Sequence, residues 1–151
     1  MLRPTTTLAI LTLALVACDR TSTRRDADAS ESSMAVEPPA PSIRTIELGK
    51  SAGPSLRVTA ATTMFTPMDT MYLAVIVANP DADSRLTARW SAADGSVIDS
   101  SGQNVERDMG TSSSVTQFRV MHDKAWPVGK YTVDVWMNSV LVGTKMFTVA
   151  R

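Results

Sequence analysis

From residue 43 onward the sequence predicts an all-β fold, an antiparallel β-sandwich of about seven to eight strands, and three observations carry that prediction. Short apolar runs are separated by turn-forming residues, no segment keeps a 3.6-residue apolar period over three turns, and apolar and polar side chains alternate within the runs. The expected strands cover residues 43–48, 55–60, 70–78, 85–91, 96–103, 114–122, 130–137 and 140–150, with turns at 49–54, 65–69, 79–84, 94–95 and 126–129. Segments this short and this numerous bury their apolar faces by pairing two sheets face to face. In 70–78, Met71, Leu73, Val75 and Val77 alternate with Tyr72 and Ile76, so both faces are apolar, as in a central or covered strand. In 85–91, Leu86, Ala88 and Trp90 share one face and Arg85, Thr87 and Arg89 the other, which puts Trp90 in the core. Asp94-Gly95 suits a tight hairpin because both residue types tolerate positive φ, and Asn138-Ser139 offers a similar two-residue turn. In 130–137 the inward set is Tyr131, Val133, Val135 and Met137, leaving Trp136 outward beside Thr132 and Asp134.

Ahead of this region, residues 8–17 (LAILTLALVA) form an uncharged apolar run preceded by Arg3. As a helix it would span about 15 Å against the ~30 Å hydrocarbon core of a bilayer, so it fits a signal-peptide apolar segment and not a membrane span. The run ends at Cys18, the single cysteine of the chain, which excludes an internal disulfide. Leu15-Val16-Ala17-Cys18 resembles the lipobox of bacterial lipoproteins, which implies cleavage before Cys18 and acylation of its thiol. The expected organisation is a lipoprotein signal peptide over 1–17, the lipidated cysteine and a disordered linker over 18–42, and the sandwich domain over 43–151. Residues 19–42 are rich in Ser, Thr, Ala, Pro and mixed charges, too poor in apolar surface to offset their ordering entropy. As a coil they reach roughly 25–30 Å. Asp19 directly follows the cysteine, and in the lipoprotein pathway of Gram-negative bacteria aspartate there acts as an inner-membrane retention signal. The resemblance therefore implies a membrane-anchored lipoprotein of the cell envelope, its domain facing the periplasm, with the inner membrane favoured over the outer.

Two features of the domain carry a second resemblance. Gly129-Lys130-Tyr131-Thr132-Val133 looks like the segment of immunoglobulin-like sandwiches in which a tyrosine near the start of a late strand bonds back to the backbone at the sheet corner, and Trp90 occupies the place of their core tryptophan. The inter-sheet cysteine pair of antibody domains is absent, so the resemblance is to the architecture. Phe65-Thr66-Pro67-Met68-Asp69-Thr70, Ala88-Arg89-Trp90, Trp126-Pro127-Val128-Gly129-Lys130-Tyr131 and Phe147-Thr148-Val149 resemble a domain that recurs in uncharacterised bacterial lipoproteins, which implies no established activity.

Composition and motifs narrow the chemistry. Fifteen basic residues balance fifteen acidic ones, so no basic surface of the kind phosphate neutralisation requires is expected, and nucleic acid is excluded as a partner. His122, the single histidine, precedes Asp123; as a general base with its orienting carboxylate the pair lacks a nucleophile in any elbow context, and it reads as a solvated loop. Asp81-Ala82-Asp83-Ser84 offers alternating oxygens but lacks the glycine and distal glutamate of a calcium loop. No catalytic residue, metal site or cofactor is expected. The candidate binding residues are Trp136 and Trp126, able to stack on a sugar or anchor a partner, with Arg89 and Arg119 as the cations expected to pack against Trp136. The sequence thus predicts a non-catalytic, lipid-anchored envelope protein whose sandwich presents a binding surface for a protein partner, or alternatively for a glycan such as peptidoglycan held by exposed tryptophans. Replacing Cys18 by Ser is expected to move the chain from the membrane to the soluble envelope fraction; a variant that stays membrane-bound through a carbonate wash contradicts the anchor.

Overall fold

Among the described residues eight strands alternate inward and outward side chains, and their pairing follows from which faces are apolar. The computed structural model describes residues 37–107, 110–121 and 124–151; Cys18, Asp19, His122 and Asp123 lie outside the described residues. The strands are β1 (Ser42–Gly49), β2 (Met64–Phe65), β3 (Met71–Ala78), β4 (Arg85–Ala92), β5 (Val97–Asn104), β6 (Ser113–Val120), β7 (Gly129–Met137) and β8 (Val140–Val149). They form a three-stranded sheet in the order β1-β3-β6 and a five-stranded sheet in the order β2-β8-β7-β4-β5. Every pairing is antiparallel except the short β2 against β8. The all-β sandwich expected from the alternation is therefore the observed fold.

The core lies between the sheets. Trp90, Leu73, Val75, Val77, Leu86, Val133 and Val135 are fully buried, and Met71 and Phe118 join them. β3, central in its sheet, is buried on both faces as its double apolar pattern requires. Tyr131 Oη donates to the Pro127 carbonyl at 2.6 Å, the corner bond expected from the Gly129–Tyr131 segment. Burial pushes the pKa of that phenol up. The β7–β8 turn has Asn138 at φ 48° and Ser139 at φ 70°, matching a two-residue hairpin with both residues left-handed. The β4–β5 turn is looser than a two-residue hairpin. The amide of Gly95 bonds the Ala92 carbonyl at 2.9 Å, that of Ala92 bonds Ser96 at 2.9 Å, and Gly95 alone takes positive φ.

The two long sides of the sandwich are closed differently. On one, Ile46 of β1 reaches Gly143 of β8 so closely that any Cβ at 143 would overlap its Cδ1. On the other, the Gln103 side-chain amide of β5 donates to the Gln117 carbonyl of β6 at 2.9 Å.

Two segments differ from the sequence expectation. Residues 55–60 were expected to be a strand, but they belong to a narrow loop with two isolated bridges, Ala52↔Val58 and Gly49↔Ala61. A tight turn at Gly53–Arg57, with Leu56 at φ 61°, brings the chain back on itself before a ladder can extend. The loop is held by Glu47, which accepts from the Arg57 guanidinium through both oxygens and from the Val58 amide at 3.2 Å. Because Glu47, Ala74 and Gln117 are register neighbours, and Gln117 donates to the Leu56 carbonyl at 3.1 Å, the loop covers the outward side of β3 where Ala74 is fully buried. Residues 65–69 were expected to be a turn throughout; Met64–Phe65 instead pairs with Thr148–Val149, because burying the Phe65 ring draws its backbone alongside β8. The turn proper is confined to 66–69, where the Asp69 carboxylate accepts from the Thr66 amide at 2.6 Å and pairs with Lys50 at 2.8 Å.

Removing the Trp90 ring opens a cavity in the middle of the sandwich, so Trp90→Ala is expected to cost about 3–5 kcal/mol, whereas Trp136→Ala on the outer face is expected to cost much less; denaturant unfolding of the two variants measures both, and equal losses contradict the face assignment. The Arg57 hydrogen bond, aided by the Val58 amide, holds Glu47 below its ordinary carboxylate pKa against a smaller desolvation effect. A lowered folded pKa adds stability that is complete above the unfolded value near ~4.3 and is lost as pH falls through the folded value. Glu47→Gln is therefore expected to lower the unfolding midpoint at neutral pH and to approach the parent protein in acid; a midpoint difference that persists unchanged through the acid range contradicts this role.

Candidate ligand groove on the five-stranded sheet

β4 and β7 are adjacent antiparallel strands whose inward residues, Leu86, Ala88, Trp90, Val133 and Val135, are fixed in the core. Period-two geometry then forces Arg85, Thr87 and Arg89 of β4, with Asp134 and Trp136 of β7, onto one outer face. Trp136 lies directly across from Thr87, and Arg89 across from Asp134. β5 adds Ser100 opposite Arg89, Gly102 opposite Thr87 and Asn104 opposite Arg85. A β-bulge places the extra residue Val142 between the partners of Val135 and Trp136, which bends β8 next to the tryptophan.

These residues enclose a shallow groove. Thr87 and Trp136 line its middle, Arg89 and Ser100 one end, and Asp83, Arg85, Asn138 and Ser139 the other. Trp136 is half-buried, and Arg85 and Arg89 are exposed. The second end is built by hydrogen bonds. The Asn138 carboxamide oxygen accepts from the Arg85 amide at 2.9 Å, and the Asn138 amide donates to the Arg85 carbonyl at 3.0 Å, so the hairpin turn after Trp136 is tied to the start of β4. Arg85 Nη1 donates to Asn104 Oδ1 at 2.9 Å. Its guanidinium lies over Gly102, where an added Cβ would come within 2.7 Å of Nη2. At the other end Asp134 Oδ1 accepts from the Thr144 hydroxyl at 2.6 Å, and no ion pair joins Arg89 to a carboxylate among the described residues.

The four candidate binding residues separate. Trp136 and Arg89 line the same groove, although no cation–π contact joins them among the described residues. Arg119 is a correction: it lies on β6 opposite Tyr72, on the outside of the other sheet, with Nη2 2.9 Å from Met121 Sδ. Trp126 is a correction as well. It is 2 % exposed, packed edge-on against Tyr131 at 5.5 Å, while its backbone amide bonds the Pro67 carbonyl at 2.8 Å; its ring offers no face to a ligand. Sequence reasoning missed Asp83, Arg85, Thr87, Ser100, Asn138 and Ser139 as groove residues. The alternation of Arg85, Thr87 and Arg89 was the available signal, and the β4–β5 register that sets Ser100 and Gly102 beside them was not.

Asp81 Oδ1 accepts from the Ser84 hydroxyl at 2.7 Å and the Asp83 amide at 3.2 Å, so this carboxylate caps its own turn within the turn expected at 79–84. Among the described residues no group of three or more His, Cys, Asp or Glu side chains is placed to hold a metal ion, and no helix is long and apolar enough to cross a membrane.

No protein-family profile matches the sequence, and no curated protein matches it. Solved structures do. An immunoglobulin-like protein from Pseudomonas aeruginosa matches with a TM-score of 0.52 at 17 % identity, covering 75 % of this chain and 98 % of that one. The C-terminal domain of Wzt matches with a TM-score of 0.52 at 12 % identity, over 74 % of each chain. A cycloisomaltooligosaccharide glucanotransferase from Paenibacillus, complexed with cycloisomaltoheptaose, matches with a TM-score of 0.52 at 16 % identity; the match covers 72 % of this chain but 14 % of the enzyme. At these identities the likeness is one of fold, and the chain has an immunoglobulin-like β-sandwich.

Proposed function

We propose that this chain is a non-catalytic, lipid-anchored domain of the bacterial cell envelope that holds a glycan in the groove beside Trp136. The observation that carries the reading is the half-buried Trp136 indole set in a concave, otherwise polar surface, with Thr87, Ser100, Asn138 and two arginines around it. A sugar ring has an apolar face that stacks on an aromatic ring and a rim of hydroxyls that needs convergent donors and acceptors, which this surface supplies. The anchor belongs to the proposal through the Cys18 lipobox resemblance, with the domain facing the periplasm and Asp19 favouring the inner membrane.

A protein partner is the second reading, and the open end of β8 favours it. β8 pairs with β2 at Thr148 and Val149 alone, while Val140 and Leu141 are 64 % and 49 % exposed. An added strand could take up the free backbone there.

Trp90 and Trp126 are buried, so a ligand-induced change in the emission of the three tryptophans reports Trp136. Titrating the full chain in detergent with envelope and plant oligosaccharides is expected to quench that emission, with the response gone in Trp136→Ala and kept in Val140→Lys. Absence of any response at millimolar sugar, together with capture of an envelope protein that Val140→Lys abolishes, replaces the glycan by the protein partner.

A further inference from the structure

We infer that the sugar this groove selects is an acidic one, a hexuronic acid unit whose carboxylate is received by Arg89 while its ring lies on Trp136 and Thr87. The inference rests on the glycan reading and adds a charge to it. Arg89 is exposed, and no ion pair or hydrogen bond engages its guanidinium among the described residues. Its cross-strand neighbour Asp134 would be the ordinary partner, but Asp134 faces β8 instead, where the Thr144 hydroxyl bonds its Oδ1 at 2.6 Å. Ser100, across from Arg89 on β5, adds a hydroxyl to the same end. A guanidinium with a free fork of donors beside a hydroxyl is suited to a planar carboxylate, which it binds through two parallel hydrogen bonds.

The opposite end is balanced and therefore not the acid's seat. Arg85 shares it with Asp83, already donates to Asn104, and is laid along the sheet by the missing side chain at Gly102. Arg85 and Arg89 are four residues apart on one strand, about 13 Å between Cα atoms at 3.3 Å per residue. That spacing leaves room for a sugar ring over Thr87 and Trp136 between a charged end and a neutral one. Arg85, Asp83 and Asn138 then meet hydroxyl groups.

The test compares an oligogalacturonate with its methyl ester, in which a methyl group caps each carboxylate and removes its charge, by calorimetry and tryptophan emission on the full chain in detergent at one ionic strength. The acid is expected to bind roughly tenfold more tightly than the ester, the size of one charge-assisted hydrogen-bonded contact. Arg89→Gln should remove that difference, Arg89→Lys should restore part of it, and Trp136→Ala should weaken both ligands. An unchanged thermal midpoint in Arg89→Gln establishes that the variant is folded. Equal binding of acid and ester, both lost in Trp136→Ala, overturns the acidic selectivity while the glycan reading stands. Binding of neither at millimolar concentration overturns both. Polyglutamate binding as tight as the oligogalacturonate, and indifferent to Trp136→Ala, also overturns the inference, because charge alone then accounts for the affinity.

Discussion

Phe147 is the point on which the five-stranded sheet is organised. Four aromatic rings from four parts of the chain meet it: Phe65 at 5.5 Å, Trp90 at 5.7 Å and Trp126 at 6.5 Å in edge-to-face contacts, and Tyr131 stacked at 5.3 Å. Edge-to-face and offset contacts of this kind contribute about 0.5–1.5 kcal/mol each beyond the area they bury. They fix β2, β4, β8, the start of β7 and the loop before it as one unit. A one-residue slip of any of these strands would carry its ring to the solvent side and break the cluster, so the cluster also sets register.

Register is what builds the groove. With Trp90 and Val135 held inward, Arg89 and Trp136 have no choice of face, and the cross-strand hydrogen bonds set which neighbours they meet. The groove therefore stands on the strands of a packed sheet, which position side chains more firmly than a mobile loop does. Of the loop residues that line it, Asp83, Asn138 and Ser139, Asn138 is itself bonded twice to the backbone of Arg85.

Much of this was legible because a sandwich strand writes its orientation into single-residue alternation. Trp90, the inward set of β7 and the double apolar pattern of β3 follow from local sequence, and the Tyr131 corner bond follows from the resemblance to immunoglobulin-like sandwiches. What escaped depends on partners distant along the chain. Val58 flanked by polar residues looks like a strand, yet Glu47 captures that loop through Arg57. Phe65 sits in a sequence rich in turn formers, yet its ring is buried on Phe147. Trp126 in a Trp-Pro turn looks exposed until Pro67 and Tyr131 are brought to it. Arg119 and Trp136 are both outward on their strands, and sheet assignment, not alternation, puts them on opposite sides of the molecule.

The unequal closure of the two long sides has a dynamic consequence. Where Ile46 presses on Gly143 the sheets meet through close packing next to the backbone, and separating them there exposes apolar surface and leaves a void. Where Gln103 meets Gln117 they are joined by a surface hydrogen bond that water replaces at little cost. The side joined by β5 and β6 is thus expected to separate at lower cost than the side joined by β1 and β8. β5 carries Ser100 and Gly102, so the groove on the outer face lies beside the more readily separated side of the sandwich.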